Sequence, residues 1–541
     1  MAKPVRKNGL FLSPEKVSVE FGKKILAHLE GLCSYRRMQA KPANSLDDAM
    51  SENLPWWRTL TRYHWFVFTV ASLAWLFDCL DQQLFIIARS PAIGALLPND
   101  TTLHRVINFF AEHFPKFLKY LPEGNSSEAI KQWGGNTTAI FVAGWATGGL
   151  IFGAIGDKIG RARTLAITVL MYSICTGLSA FSQSVIDFSV YRFITGLGVG
   201  GVFGLAVALV ADGLPDRARP HALGLLQALS AVGNVAAGLI AIAVGNLEIM
   251  KMQSATAGGA GASISSWKYL FLVGAIPAFL CVFIQLRLKE PEKWVKARAE
   301  GRRSGVRFGS YASMFGEARW RKHALFGMLL CVSGVVGLWG VGFFSPELVG
   351  DVIGKILKAQ NVPANELPGR RLIWTGVTMI MQNTGAFLGM LTFTKLAHHY
   401  GRKPIFAIAY VCAFVSTVAV FKLLNQPWHI FVLIPIMGFC QLGLFAGFAI
   451  YLPELFPTRL RSTGTSFCYN VGRFIAASGP FTQGWLQAKL ASGAVTPEAK
   501  LEAFRNACCW VSLVFFVGLI ALPFLPETKG QPLPEDSVNA R

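Results

Sequence analysis

Twelve apolar blocks, each near the length that spans a lipid bilayer, dominate this chain. They lie at about 64–88, 137–156, 163–183, 188–211, 221–245, 269–288, 323–348, 374–396, 404–424, 428–451, 463–487 and 505–526. A helix needs roughly 20 apolar residues to cross the hydrocarbon layer, where only its own backbone can satisfy its N–H and C=O groups. A large soluble protein with buried helices could carry similar blocks. It would need more water-facing groups than 15% charged residues supply beside 52% hydrophobic ones. Gly, Ser and Ala recur at close spacing, as in GLGVGGVFGLAVALVA at 196–211, which lets membrane helices approach closely. The expected fold class is an all-α membrane protein with twelve transmembrane helices.

The net charge of +21 would suit a nucleic-acid binder, but its placement argues for membrane topology. Segment 1–62 holds eleven Lys/Arg against six Asp/Glu, and 287–322 holds eleven against four. Short basic connectors follow blocks 2, 4, 8 and 10, with Lys158, Arg161, Arg163, Arg217, Arg219, Lys395, Arg402, Lys403, Arg459 and Arg461. Basic residues on alternate connectors fit the positive-inside rule. Both termini and the middle loop are then expected in the cytoplasm, and no nucleic-acid partner is expected. The connector around 349–373 departs from the rule, with Lys355, Lys358, Arg370 and Arg371 on the outside. The rule weakens in long loops.

The organisation expected is a basic cytoplasmic extension at 1–62 and a six-helix half at 63–288 with an external insert at 94–136. A basic linker at 289–322, a second six-helix half at 323–526 and a cytoplasmic tail at 527–541 follow. Residues 13–38 could form a basic amphipathic helix on the membrane surface or in water. Residues 102–121 read as an amphipathic helix outside the bilayer. The ten cysteines lie mostly inside apolar blocks without metal-ligand spacing, so no metal and no cofactor is expected.

An internal repeat carries the division into halves. Gly160-Arg161 and Gly401-Arg402 are 241 residues apart. Asp212 and Glu454, Pro215 and Pro457, Arg217 and Arg459, and Arg219 and Arg461 are each 242 apart. KEPEKW at 289–294 follows block 6, and PETKG at 526–530 follows block 12. Parallel repeats of this kind build transporters with a site where the halves meet.

These residues resemble the major facilitator superfamily over roughly residues 60–530. Its signature after helix 2 matches at Gly153, Ile155, Asp157, Gly160, Arg161 and Arg163. Its helix 4 signature matches at Arg192, Gly196 and Gly198, and the signature after helix 10 at Pro453, Glu454, Pro457, Arg459 and Arg461. PETKG resembles the ending of its sugar and metabolite branches. The second copy of the first signature departs, with His398 at the acid position and Thr394 at the first glycine. The resemblance implies two pseudo-symmetric six-helix halves that rock to alternate access. It also implies a gating motif of Gly153, Asp157, Gly160, Arg161, Arg163, Glu454, Arg459 and Arg461, in which Asp157 meets basic groups or a helix N-terminus of the other half. The second copy, lacking its acid, implies a latch that is strong in the amino-terminal half alone. For any single arginine, a plain topology signal explains the charge nearly as well.

Two acids stand out inside the first block, in LFDCLDQQLF at 76–85. A carboxylate at that depth costs about 2.5–3.5 kcal/mol on insertion scales. Asp78 and Asp81 are one helical turn apart, and two nearby carboxylates away from water disfavour double ionisation. Proton coupling through Asp78 and Asp81, with Arg192 as a buried partner, is one reading. A purely structural ion pair is the other. Arg192 has no counterpart in the repeat, because Ile434 stands there. The Asp-x-x-Asp spacing and YNVGRF at 469–474 resemble the aromatic-acid and metabolite:proton symporters of the superfamily. Cys79 stands where those proteins usually have Gly.

Arg473, deep in block 11, is the candidate anion site, since a guanidinium can hold a carboxylate with two parallel bonds. A structural partner for an acid or for helix-end carbonyls is its alternative role. Gln382, Asn383, Tyr469, Asn470 and Trp339 are further substrate-site candidates, with Asn234, Gln441 and Trp374 behind them. The expectation is a secondary transporter of a small organic anion with protons, not an enzyme. It is placed as a monomer in the plasma membrane, as in a bacterial inner membrane, with substrate, protons and lipid as its partners. A sugar or other neutral-metabolite porter is the alternative, and a transporter-like sensor a remote one.

Overall fold

The computed structural model describes residues 6–7, 10–11, 55–113, 127–256, 266–364, 366–477, 490 and 496–535. Residues Met1–Thr59 form a unit of their own. In it Arg6–Lys7 and Leu10–Phe11 pair antiparallel, and Trp56–Thr59 makes one 3-10 turn. Residues 13–38 lie outside the described residues, as does the proposed helix there.

The second unit, Leu60–Arg541, is built of helices. The first half holds α1 (Arg62–Leu96), α2 (Thr101–His113), α3 (Ser127–Ile159), α4 (Arg161–Ser179), α5 (Val185–Gly213), α6 (Arg219–Thr256) and α7 (Ser266–Gln285). Two linker helices follow, α8 (Glu292–Ser304) and α9 (Tyr311–Gly316). The second half holds α10 (Ala318–Gly340), α11 (Ser345–Ala359), α12 (Leu367–Tyr400), α13 (Arg402–Leu423), α14 (His429–Glu454), α15 (Arg461–Ala477), α16 (Pro497–Val511) and α17 (Phe515–Ala521). With α10–α11 and α16–α17 each read as one broken rod, each of the twelve apolar blocks holds helix among the described residues, which agrees with twelve passes. Among the described residues nine spans are long and apolar enough to cross a membrane. The passes outside that count are α7, α12 with its polar middle, and α15 as far as Ala477.

Local chemistry sets the helix ends. The Thr61 hydroxyl accepts from His64 N–H while His64 Nδ1 accepts from Thr61 N–H, and Ser184 and Asp187 do the same at α5. Each such cap is worth about 1 kcal/mol. Between α3 and α4, and again between α12 and α13, the chain reverses on one residue, Gly160 (φ 125°) or Gly401 (φ 105°). A side chain is strained at those angles.

The repeat persists in the packing. Val199–Ala211 of α5 and Gln441–Pro457 of α14 and its end are buried without a break, and the 242-residue displacement relates the two stretches. On the outside, α4 exposes Ile167, Leu170, Ile174 and Leu178, and α13 exposes Ile408, Val411 and Val415 at the equivalent positions. Such apolar stripes facing outward suit lipid and not water.

Several boundaries differ from the sequence reading. α1 continues to Leu96 and α3 begins at Ser127, so the insert is shorter than 94–136. α2 covers the first part of the helix expected at 102–121 and ends at His113, and the rest lies outside the described residues. The second half begins in helix at Ala318. The long connector at 349–373 is mostly helix, because α11 extends the seventh pass and α12 starts at Leu367. Lys355 and Lys358 therefore sit on a helix continuous with the bundle, and the loop is short.

Candidate functional site

A cavity of about 80 Å³ lies between the two halves. The first half contributes Trp75, Cys79, Gln82 and Gln83 from α1, Trp145 from α3, and Gln227, Ser230 and Asn234 from α6. The second contributes Leu338, Trp339 and Pro346 around the α10–α11 break, Met379, Gln382 and Asn383 from α12, Leu442 and Phe445 from α14, and Tyr469 and Arg473 from α15. The seventh pass breaks at Gly340–Ser345, beside the cavity, where transporter helices often interrupt. Asn234 donates to Asn383 at 2.9 Å across the halves. α6 and α12 stay close on both sides of the cavity, where Gly224 faces Thr394 and Gly245 faces Gly369.

Asp78 and Asp81 are both buried inside the bundle, 0% and 1% exposed, and neither faces lipid. Their surroundings differ. Asp78 Oδ2 accepts from Gln82 Nε2 at 3.0 Å, so a cavity-lining amide touches it. Asp78 also feels the charges of Asp81 and Arg473. Asp81 lies 3.9 Å from Arg192 Nη1, toward α4, α5 and α7. Arg192 donates to Ser179 Oγ (2.7 and 3.1 Å), Thr195 Oγ1 (3.1 Å) and Cys175 O (3.3 Å). Its guanidinium lies 4.8 Å from the Phe271 ring centre. Asp78 Oδ1 and both Asp81 carboxylate oxygens lack a hydrogen-bond partner among the described residues. Buried carboxylates with so few partners are costly as anions.

Arg473 is the cation of the cavity. Trp145 and Tyr469 hold its guanidinium, with ring centres 3.9 and 4.2 Å from Cζ. Tyr469 in turn stacks on Phe203 at 3.8 Å. Arg473 Nη1 donates to Tyr469 O (3.0 Å) and Asn470 Oδ1 (2.9 Å). Its Nε has no partner among the described residues. The guanidinium edge formed by Nε and Nη2 is the edge that grips a carboxylate with two bonds.

The basic connectors gather at one face of the bundle. Asp157 accepts there from Ser462 N (3.2 Å), Thr463 N (2.8 Å) and Thr463 Oγ1 (2.8 Å). It therefore caps the N-terminus of α15 in the other half, where the helix dipole favours an anion. Asp212 binds both Arg161 and Arg461, joining the halves a second time. Asp157→Asn should weaken this closure by about 1–2 kcal/mol. A membrane-impermeant thiol reagent added on this face should then label cavity-lining Cys79 several-fold faster, as read by peptide mass spectrometry.

The equivalent network in the second half closes on itself. Glu454 pairs with Arg402 at 2.9 Å and accepts from Thr528; across the halves it acts on Arg219 through charge, with no hydrogen bond between them among the described residues. His398 stands in place of Asp157, its ring 4.7 Å from that of His221. Pro220 of α6 corresponds to Ser462 and has no N–H to give.

Two carboxylates brace the glycine turns. Glu290 accepts from the N–H groups of Arg161 (2.7 Å), Ala162 (3.2 Å) and Arg163 (3.1 Å). Glu527 of the PETKG ending accepts from Arg402 (2.9 Å) and Lys403 (3.0 Å). Partial burial pushes the Glu527 carboxyl up, but backbone N–H groups, Arg402 first, bring it below the usual range. Its stabilisation is present above the unfolded value of about 4.3 and is lost as pH falls through the depressed folded value. Glu527→Gln should cost about 1 kcal/mol at neutral pH, and the difference in thermal midpoint should shrink toward pH 3.

Of the residues singled out from sequence, Arg473, Gln382, Asn383, Tyr469, Trp339 and Asn234 line the cavity. Asn470 does not; it holds Arg473 from behind and packs on Gly149. Gln441 donates to Thr417 at 2.6 Å, away from the cavity. Trp374 packs against Phe431. Gly153, Asp157, Gly160, Arg161, Arg163, Glu454, Arg459 and Arg461 collect at the basic face, where Arg459 binds Glu317. Sequence reasoning passed over Gln82 and Gln83, although they directly follow Asp81, and also over Trp145, Gln227 and Phe445.

The profile described as Major Facilitator Superfamily matches residues 117–480. The cis,cis-muconate transport protein of Acinetobacter baylyi is 28% identical over 64% of this chain and 76% of its own length. A protein of Cupriavidus pinatubonensis named "Probable 4-methylmuconolactone transporter" is 28% identical over 73% of this chain and 81% of its own. Among solved structures, the proton:xylose symporter XylE aligns with TM-score 0.61 at 17% identity, over 87% of this chain and 98% of its own. That likeness is one of fold.

Proposed function

This chain belongs to the major facilitator superfamily, a multi-pass membrane transporter, and we propose that it moves a small organic anion together with protons. The observation that carries this reading is Arg473. It is a buried cation, clamped between two aromatic faces, and its Nε has no hydrogen-bond partner among the described residues. An aromatic or unsaturated carboxylate suits that frame, with its carboxylate on the guanidinium and its flat body against Trp145, Trp339 and Phe445. The names of the muconate and methylmuconolactone relatives agree in chemical class.

Coupling follows from shared use of one cation. With the cavity empty of anion, Arg473 is the cation lining the cavity, and Gln82, which donates to Asp78, lines the same cavity. A bound carboxylate takes over that guanidinium, and Asp78 is then better off neutral. Substrate and proton thus arrive together and leave together. Asp81 and Arg192 form a buried pair within the first half that supports α1 against α4 and α5. The basic face is the cytoplasmic one by the positive-inside rule, both termini are on that side, and the membrane is a bacterial inner membrane.

The test is uptake by proteoliposomes with an imposed pH gradient. Benzoate or cis,cis-muconate should accumulate when the outside is acidic, and xylose should not. Accumulation of xylose with indifference to carboxylates would favour the second reading, a neutral-metabolite porter. The amide-rich lining of Gln82, Gln83, Gln227, Gln382 and Asn383 gives that reading its support, because amides suit sugar hydroxyls.

A further inference from the structure

A cleft of about 550 Å³ on the basic face lies away from the transport cavity. We propose that it is a site for a phosphate-bearing anion, filled in the membrane by the headgroup of an acidic phospholipid. Four cations line it: Lys158 at the end of α3, Arg298 and Arg302 on α8, and Arg307 in the turn after α8. No Asp or Glu lines it. None of the four makes an ion pair among the described residues. Two acids near it are already engaged, since Glu290 caps the start of α4 and Asp157 caps α15. Arg298 lies over the Trp294 ring at 4.8 Å. Burial and then the neighbouring charges of Arg302 and Arg163 hold Arg298 below the usual guanidinium range, with Glu290 opposing them in part.

The cleft is built and braced. Gly309 has φ 61° and sits so close to Ala154 O that a Cβ would collide. Its N–H donates to Arg459 O at 3.0 Å, and Tyr311 Oη donates to Leu150 O at 2.7 Å. These bonds pin the linker to α3 and to the second half together.

The neighbouring surface favours lipid over dissolved phosphate as the source. Ile151 is two turns before Lys158 on the same face of α3 and is 46% exposed. An acyl chain can therefore run up α3 from a headgroup held at Lys158. This orientation rests on reading the basic face as the cytoplasmic one. Because the cleft joins α3, the linker and Arg459, its occupant binds best when the latch of Asp157 is closed. By linkage it stabilises that closed conformer.

The test uses the full chain in nanodiscs and reads the thermal unfolding midpoint, which needs no transport substrate. Phosphatidylglycerol added to phosphatidylcholine discs should raise the midpoint. Arg302→Gln with Arg307→Gln should weaken the apparent lipid affinity about thirtyfold. Lysines at both positions should restore most of it, and Arg319→Gln with Lys322→Gln, elsewhere on this face, should leave it intact. A second arm adds inorganic phosphate to phosphatidylcholine discs. A phosphate-induced rise abolished by the same double variant would keep the site and make solution its source. The proposal falls if neither addition raises the midpoint, or if the Arg302/Arg307 variant responds like the parent chain. It also falls if the Arg319/Lys322 variant loses as much.

Discussion

Arg473→Lys should keep the positive charge at the cavity and lose transport of carboxylates. Lysine is a point charge without the planar fork, and it cannot lie flat between Trp145 and Tyr469 as the guanidinium does. It also forfeits the paired donors that would meet a carboxylate edge-on. Breaking a buried, hydrogen-bonded charge pair typically costs about 2–5 kcal/mol, which is roughly thirtyfold to several thousandfold in apparent affinity. Substrate protection of Cys79 against thiol reagents gives a binding readout separate from flux. A lysine variant that binds and moves carboxylates as well as the parent chain would remove Arg473 from the site.

Asp78→Asn should uncouple flux from the proton gradient. For one proton moved with one monovalent anion, each unit of pH difference sustains about tenfold accumulation. The asparagine variant should bring inside and outside concentrations level and stop there. It should still exchange labelled for unlabelled substrate, because Arg473 and the lining amides remain. Asparagine preserves the hydrogen bond to Gln82 after an amide flip, so loss of accumulation would report loss of titration and not of packing. Concentrative uptake equal to the parent's would assign the proton elsewhere. Asp81→Asn is the informative contrast: it leaves Arg192 its bonds to Ser179, Thr195 and Cys175, so exchange and coupling should both persist at reduced stability.

The sequence discloses the fold more readily than the site. Block length, alternate basic connectors and the 242-residue punctuation follow from bilayer thickness and membrane topology, which act on every pass alike. Asp157 stood out through the resemblance of its connector to the superfamily signature, and it lies on the N-terminus of α15. Cavity membership was not legible. Lipid is as apolar as the bundle core, so a membrane helix shows no polar face to tell inside from outside. Gln441 and Gln382 therefore look alike in sequence, though one ties α14 to α13 and the other lines the cavity. Trp145 and Gln227 were hidden in the same way. The role of Glu527 needed the fold, because its partners at Arg402 and Lys403 lie more than a hundred residues upstream. The helix hidden in 349–373 was masked by its lysines, of which Lys355 pairs with Glu498.

The mismatch between Asp157 and His398 makes the two halves non-interchangeable parts. One seam is fastened by a carboxylate on a helix end, and its mirror image has His398 and Pro220 in the places of that acid and of one of its donors. The contacts between the halves on the basic face gather around Asp157 and Asp212 of the first half. A substitution there removes bonds that the other half has no means of replacing.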